Sequence, residues 1–160
     1  MTISYHEFFS NSNLDFNKQQ LRIFMETQVI VSAIIENKNK LLLGRKSKNV
    51  GPYPNTWHLL GGGVKQGESI FDAIKREVLE ESGIKISNLE PIGFDEDYEP
   101  NKHGIKTHYI FLVFRAKYKA GSLRAGDDIH ELKWIDKSKL KTIKLNRPTI
   151  KLFKKLQLII

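Results

Sequence analysis

The amino-acid sequence predicts an α/β or α+β sandwich built on one sheet, and three observations predict it. Residues 28–35 (QVIVSAII) and 41–45 (LLLGR) are rich in β-branched and aliphatic side chains on either side of the polar turn ENKNK, as paired strands require. Residues 107–118 (THYIFLVFRAKY) are apolar on both faces at their centre, as in an interior strand covered on both sides, so helices should flank the sheet. Residues 70–82 and 148–158 supply those helices, with apolar side chains at helical spacing.

Residues 1–26 are polar with scattered aromatics (Tyr5, Phe8, Phe9, Phe16) and read as an extension, strand or short helix, wrapped on a core of about 27–158. After the first two strands, residues 47–56 (SKNVGPYPNT) carry two prolines, a glycine and two asparagines and form a loop. Trp57 to Leu60 is a short apolar stretch that runs into Gly61, Gly62 and Gly63, where the backbone can adopt conformations closed to other residues. Something approaches that backbone closely. Ser69 reads as an N-cap with Asp72 three positions on, and Gly83 as a left-handed stop, which bounds the first helix at 70–82. Residues 86–94 and 129–135 complete the strands. Pro148 belongs in the first turn of the last helix, where a missing N–H costs nothing.

With 160 residues the chain is long enough for one ordinary core and short for two, so a single domain is expected. No apolar run approaches membrane-spanning length and the polar N-terminus lacks a secretory pattern, so a soluble, cytoplasmic protein is expected. The absence of cysteine excludes disulfides, thiolate metal sites and cysteine nucleophiles. A metal here is held by oxygen or imidazole. The formal charge of +8 would draw in anionic ligands, although much of the excess lies between Lys133 and Lys155, where basic and apolar residues alternate as on the outer face of a strand and helix.

The chemistry concentrates in residues 62–84, GGVKQGESIFDAIKREVLEESGI. On a helix, Glu77, Glu80 and Glu81 are spaced i, i+3 and i+4, so three carboxylates share one stripe. Ile70, Phe71, Ile74 and Val78 occupy the adjoining stripe, which puts the acids at the edge of the buried face. Taken alone, such a segment is more often a solvated helix end balanced by Lys75, Arg76 and Lys85. The glycines upstream favour a hard divalent cation instead, since Mg²⁺ takes oxygen ligands and keeps positions for water and phosphate. Eight residues before Arg76 stands Glu68. A bidentate clamp between them would hold the glycine loop against the acids; the alternative is an ordinary surface ion pair.

The same residues resemble the Nudix box at every defined position: Gly62, Glu68, Arg76, Glu77, Val78, Glu80, Glu81, Gly83 and Ile84. The resemblance implies an α/β/α sandwich with a mixed sheet. It implies that Glu77, Glu80, Glu81 and the carbonyl of Gly61 bind Mg²⁺ or Mn²⁺, that Glu68 and Arg76 brace the loop, and that a phosphoanhydride is hydrolysed by in-line displacement at phosphorus. Glu77 is a candidate base, as is an acid outside the box. For the latter, Asp128 ranks first because it lies six positions before Trp134, as an acid does in the MutT-type branch, with Glu131 second and Asp127 equally well placed. One departure is visible: Leu60 stands where many members have proline.

For the substrate, a nucleotide, the sequence offers less. Arg45 and Lys46, at the end of the second strand, are candidates to meet phosphate. Asn146 resembles the base-reading asparagine of MutT-type nucleoside triphosphate pyrophosphatases, but it could equally cap the last helix. Pro100, sixteen residues after the box, has the spacing of ADP-ribose pyrophosphatases yet sits in an obvious turn (YEPNKHG). His58, His103 and His108 could serve as base or phosphate contacts but read first as neutral packing or surface residues, and Tyr53, Trp57 and Phe94 could stack on a base but read first as core or loop packing. The leading expectation is a MutT-like nucleoside triphosphate pyrophosphatase. Its runner-up is a nucleotide-sugar or ADP-ribose pyrophosphatase. A non-catalytic nucleotide- or RNA-binding module using the positive charge is the alternative of another class, disfavoured by three intact carboxylates. A homodimer through the N-terminal extension or the apolar tail LQLII is a further expectation.

Overall fold

The computed structural model describes residues 25–48 and 51–160. Apart from Met25 and Glu26, the expected N-terminal extension lies outside them. The strands are β1 (Glu26–Asn37), β2 (Lys40–Lys46), β3 (Trp57–His58), β4 (Leu60–Gly63), β5 (Ile84–Pro100), β6 (Lys106–Gly121) and β7 (Ile129–Asp136). Two helices, α1 (Ile70–Ser82) and α2 (Arg147–Lys155), and a 3-10 turn (Lys137–Thr142) complete the fold.

All seven strands share one mixed sheet, ordered β3-β2-β1-β6-β5, with β4 paired to β1 and β7 to β2. Side chains alternate across a strand, so β1 feeds two cores. Val31, Ala33 and Ile35 pack on one face with Ala73, Ile74 and Val78 of α1, and Ile34 packs on the other with Leu152 and Phe153 of α2. The result is the α/β/α sandwich. Each of the fully buried Ile, Leu and Val side chains contributes roughly 1.5–3 kcal/mol through burial, so β1, apolar on both faces, is the spine of the molecule.

The placement of the site follows from a change of partner along β1. Its residues Ile30 to Ala33 pair with β4, whereas Ile35 to Asn37 pair with β2. The glycines of β4 are thereby drawn into the sheet beside the entry to α1. On its other edge β1 runs parallel to β6 from Glu26 to Glu36, and β6 lies inside the sheet as its doubly apolar centre predicts.

The first helix has the expected ends. Ser69 Oγ accepts the Asp72 N–H at 3.1 Å, and Gly83 (φ 72°) returns its N–H to Leu79. Asp72 does not reach back to the Ser69 backbone; it takes the Ser69 hydroxyl instead. The expected strand at 86–94 is longer, because β6 offers it a partner as far as Pro100, and register shifts around Ile86, Glu90 and Gly93 absorb the irregular stretch containing Pro91. The turn after Pro100 is the tip of this hairpin, tied by Asn101 Oδ1 to the N–H groups of His103 and Ile105. The last helix ends at Lys155, earlier than its spacing suggests, since Gln157 turns to φ 55° and Leu158 and Ile159 donate back to Phe153. Much of the LQLII tail is consequently spent on the chain's own core: Ile159 is buried, and Leu156 and Leu158 pack against it. The basic residues between Lys133 and Lys155 are mostly exposed, as their alternation predicts.

Candidate active site

Arg76 organises the acids. Its Nε and Nη2 grip the two Glu68 oxygens at 2.7 and 2.8 Å, Nη1 meets Glu77 at 2.6 Å and Glu80 at 2.9 Å, and Nη2 also donates to the Gly63 carbonyl at 3.0 Å. One guanidinium thus joins the loop before α1, the glycine strand and two of the three helix acids, which only its planar fork of donors permits. Glu68, hydrogen-bonded first by Arg76 and also by the Lys65 N–H, is held at a pKa of about 2, so the clamp persists through the physiological range.

The three glutamates occupy unlike surroundings. Glu80 is half-exposed, whereas Glu77 and Glu81 are buried. Burial raises the Glu77 pKa against the pull of Arg76. Burial also raises Glu81 well above the ordinary carboxylate range; Asp128 and Glu77 add to the rise, and the Gly61 N–H, donated at 2.8 Å, and Lys46 oppose it. The glycines fit against these acids. A Cβ on Gly61 (φ 146°) would overlap the Val31 carbonyl oxygen, and one on Gly62 would sit 2.5 Å from Glu77 Cδ.

The loop before β7 brings the outside acids in. Arg124 and Gly126 donate to the Ser82 and Glu81 carbonyls at the end of α1, and there is no room for a Cβ at Gly126 against the Glu80 carbonyl. Asp127 thereby stands near Glu77 and Asp128 near Glu81, close enough for each to raise its neighbour's pKa. Asp128 is also bound to Lys46 at 2.6 Å. Glu131, the second-ranked outside acid, is occupied elsewhere by Lys133 at 2.5 Å and Arg45 at 3.3 Å. Its pairing with Arg45 and Lys133, apart from the Asp128–Lys46 pair, was not readable from spacing.

A cavity opens on the α2 side of the glycine strand. It is lined by Gly61 and Gly62, by Ile30 and Ser32 of β1, by Tyr109, Phe111 and Val113 of β6, and by Lys46, Tyr53 and His58. Asn146, Pro148, Thr149 and Leu152 close it from α2. Lys46, one of the two candidates for a phosphate contact, is among the lining residues, with its ammonium on Asp128. Arg45, its strand neighbour, does not line the cavity: it is held by Asn55 and Glu131, and the pairing of β2 with β7 is irregular between Arg45 and Lys46. Asn146 caps α2, accepting the Thr149 N–H at 3.0 Å as the helix-cap expectation has it, and it also borders the cavity. Trp57 is core and Phe94 is exposed, but Tyr53 reaches the cavity rim, held by Asp97 at 2.7 Å. Asp97 also binds Arg147 at 2.8 Å; burial alone would raise its pKa, yet these two partners hold it low. Tyr109, Phe111 and Ser32 escape sequence reasoning because they look like any strand residues.

His58 carries an unpaired atom. Its Nδ1 lies 2.9 Å from the Leu59 carbonyl, and its Nε2 is a buried polar side-chain atom without a hydrogen-bond partner among the described residues. Leaving such a group unsatisfied costs about 1–3 kcal/mol.

The NUDIX domain family model matches residues 26–156, which spans every strand and helix described above. The chain belongs to the Nudix family. Among relatives of this Nudix hydrolase, it is 28% identical over 131 residues to the nucleoside triphosphatase NudI of Enterobacter sp. (strain 638), covering 78% of this chain and 93% of that one. It is 33% identical over 124 residues to an ADP-ribose pyrophosphatase of Methanocaldococcus jannaschii, covering 76% of this chain and 69% of that one. Among solved structures, a MutT Nudix hydrolase from Burkholderia pseudomallei superposes with a TM-score of 0.71 at 25% identity, covering 82% of this chain and 98% of that one.

Nudix hydrolases generally use divalent metal cations, and the donor chemistry here fits one. The acids are hard oxygen ligands, and the buried Glu77 and Glu81 lie beside further carboxylates at Glu80, Asp127 and Asp128. The fit lies in donor type and burial and not in a preformed cage. Among the described residues no three acidic or histidine side chains converge as metal ligands, since Arg76 draws Glu77 and Glu80 to itself and Lys46 draws Asp128. No helix of the described residues is long and apolar enough to cross a membrane.

Proposed function

We propose that this chain hydrolyses a phosphoanhydride bond of a nucleoside diphosphate derivative, with a nucleoside triphosphate cleaved to the monophosphate and pyrophosphate as the favoured reaction. One observation carries the proposal: Gly61 and Gly62 touch Glu81 and Glu77 and also wall the cavity, so the acids and the cavity are separated only by a backbone without side chains.

The residues that would hold Mg²⁺, or Mn²⁺ in its place, are Glu77, Glu80, Glu81 and Asp128 with the Gly61 carbonyl. A divalent cation there would supply charge neutralisation at the diphosphate and a more acidic water. Lys46 meets the phosphate chain from the cavity side. Arg76 and Glu68 keep the glycine strand and α1 in register with each other. A water oxygen forms the new bond to phosphorus while the bridging P–O bond breaks, and the water's proton passes to a carboxylate, with Glu77 and Asp128 as the two candidates. The substrate's base enters the apolar cavity between β6 and α2.

The relative named as an ADP-ribose pyrophosphatase supports a second reading in which the same site cleaves ADP-ribose or a nucleotide sugar. A turnover screen in Mg²⁺ over nucleoside triphosphates, nucleotide sugars, ADP-ribose, dinucleoside polyphosphates and capped RNA, with the nucleotide products separated by chromatography and pyrophosphate read through an added inorganic pyrophosphatase, separates these readings, run beside Glu80→Gln and Glu81→Gln. Turnover lost in both folded variants is the expected result. Wild type inert on the whole panel in both metals, with salt-sensitive RNA binding, would hand the site to the binding-module reading.

A further inference from the structure

The cavity between the sheet and α2 carries opposite charges on its two sides. In the sheet β2 and β5 lie on opposite sides of β1 and β6, so Lys46 of β2 borders the cavity on one side and Asp95 of β5 on the other. Gly63 pairs with Ile30, Ile30 with Phe111 and Phe111 with Asp95, a row of three strand spacings that sets Asp95 roughly 14 Å from the glycine strand. Residues directly opposite on paired strands project to one face of the sheet. Phe111 lines the cavity, and Asp95 opposite it does too, whereas Glu96 turns to the other face and meets His108.

Only one oxygen of Asp95 is used by the fold. Its Oδ1 accepts the Glu96 N–H at 2.8 Å and the Lys151 ammonium at 3.2 Å, which ties α2 to β5. Its Oδ2 takes no hydrogen bond among the described residues. That oxygen is not covered either, because His58 Nε2 is the one buried side-chain polar atom left without a partner among them. The Asp95 side chain is 25% exposed. An open acceptor thus stands at the cavity rim, at the end far from the glycines and Lys46.

We propose that Asp95 is a specificity-determining residue whose Oδ2 accepts a hydrogen bond from the exocyclic amino group of the nucleobase bound in the cavity. This rests on the nucleotide reading of the site and narrows it to amino-bearing bases. A nucleotide is anionic at one end and presents its base edge at the other. With its phosphates toward the glycines and Lys46, the base edge falls at the β5 end. Ile30, Phe111, Val113 and Leu152 between the two ends offer apolar surface to any base, but a carboxylate beyond them discriminates between edges. An amino group supplies the donor that Oδ2 lacks. A carbonyl oxygen in its place sets lone pair against lone pair, and a C–H leaves the bond unmade.

The test is equilibrium binding of nucleoside monophosphates without divalent metal, which reads the base contact apart from hydrolysis. Three pairs differ only in one amino group: adenosine against purine riboside monophosphate, guanosine against inosine monophosphate, and cytidine against its 4-deamino analogue. Wild type should bind the amino-bearing member of at least one pair about 10-fold tighter. In Asp95→Asn the Glu96 N–H and Lys151 hold the amide oxygen in the place of Oδ1, so a donating NH₂ group replaces Oδ2 and the preference should vanish. That variant keeps the size of the side chain and the tie to α2. Lys151→Met cuts the tie but leaves the acceptor, and should keep the preference. Removing a negative charge strengthens the binding of every monophosphate, yet equally for both members of a pair, so the ratio within a pair reads the base contact alone.

Equal binding in all three pairs, a preference unchanged in Asp95→Asn, or one lost equally in Lys151→Met would each overturn the proposal; the last would leave Asp95 as a tie for α2 only. If triphosphates turn over while monophosphates bind too weakly to rank, the same ratios are read as kcat/KM over the corresponding triphosphates, with the same outcomes. If nothing binds and nothing turns over, the nucleotide reading itself has failed and this proposal goes with it.

Discussion

Three adjacent glycines should respond to alanine in three different ways, and the differences follow from what each Cβ would touch. At Gly61 the backbone sits at φ 146°, which an L side chain rarely adopts, and the new Cβ would overlap the Val31 carbonyl and lie 2.8 Å from Ser32 Cα. Both obstacles are backbone of the central strand and cannot swing aside. Backbone strain of about 1–3 kcal/mol adds to the weakened N–H bond to the buried Glu81, about 0.5–1.5 kcal/mol for an ordinary hydrogen bond. Gly61→Ala should therefore lose about 1.5–4.5 kcal/mol, a large part of an ordinary stability of about 5–15 kcal/mol. At Gly62 the obstacle is the flexible end of Glu77, so Gly62→Ala should fold with a loss below about 1 kcal/mol yet displace that carboxylate and lose most activity. At Gly63 nothing lies within 4 Å, and alanine should change stability by less than about 0.5 kcal/mol. Urea unfolding of the three variants, with nucleotide turnover measured on the folded ones, reads all of this. Gly61→Ala as stable as wild type, or Gly63→Ala as damaged as Gly61→Ala, would refute the close approach of β4 to β1 on which the site geometry depends.

Other outcomes follow from the same geometry. Arg76→Lys keeps the charge but cannot grip Glu68 with two nitrogens while reaching Glu77, Glu80 and Gly63; activity should fall on the order of 10–100-fold with an unchanged circular dichroism spectrum. Asp128→Asn should cost far more kcat than Glu131→Gln, since Asp128 stands beside Glu81 whereas Glu131 is tied to Arg45 and Lys133; equal losses would put the outside acid on the wrong residue. For His58, whose folded pKa of about 4 lies below the usual 6.5, the unfolded chain binds the extra proton first. Its stabilising contribution is therefore complete above pH 6.5 and lost as pH falls toward 4. Urea titrations at pH 7 and 5 should show wild type losing about 2 kcal/mol more than His58→Phe over that interval; parallel losses would mean the ring already protonates in the native state.

Much of the site is legible in the chain because its parts are close in sequence. Ser69 and Gly83 bound α1, helical spacing puts Glu77, Glu80 and Glu81 on one side of it, and the eight-residue step from Glu68 to Arg76 fits the loop-to-helix clamp. Each of these depends on backbone geometry over a turn or two, which residue type and spacing control directly. The extent of β5 was not legible, since a strand runs as long as its neighbour offers partners, and that neighbour, β6, follows a turn.

What the sequence by itself determined, then, is the mixed α/β class, the span of α1, and the acid and arginine set carried on it. Only the tertiary structure decided that Lys46 and not Arg45 meets the cavity, that Asp128 stands beside Glu81 while Glu131 is paired elsewhere, and that His58 is buried with a ring nitrogen unpartnered among the described residues. The physical reason is one of distance along the chain. Local spacing fixes where a side chain leaves its own helix or strand, but which groups it meets is set by pairing and packing among β1, β2, β4, β7 and α2, segments up to about a hundred residues apart whose register no local pattern encodes.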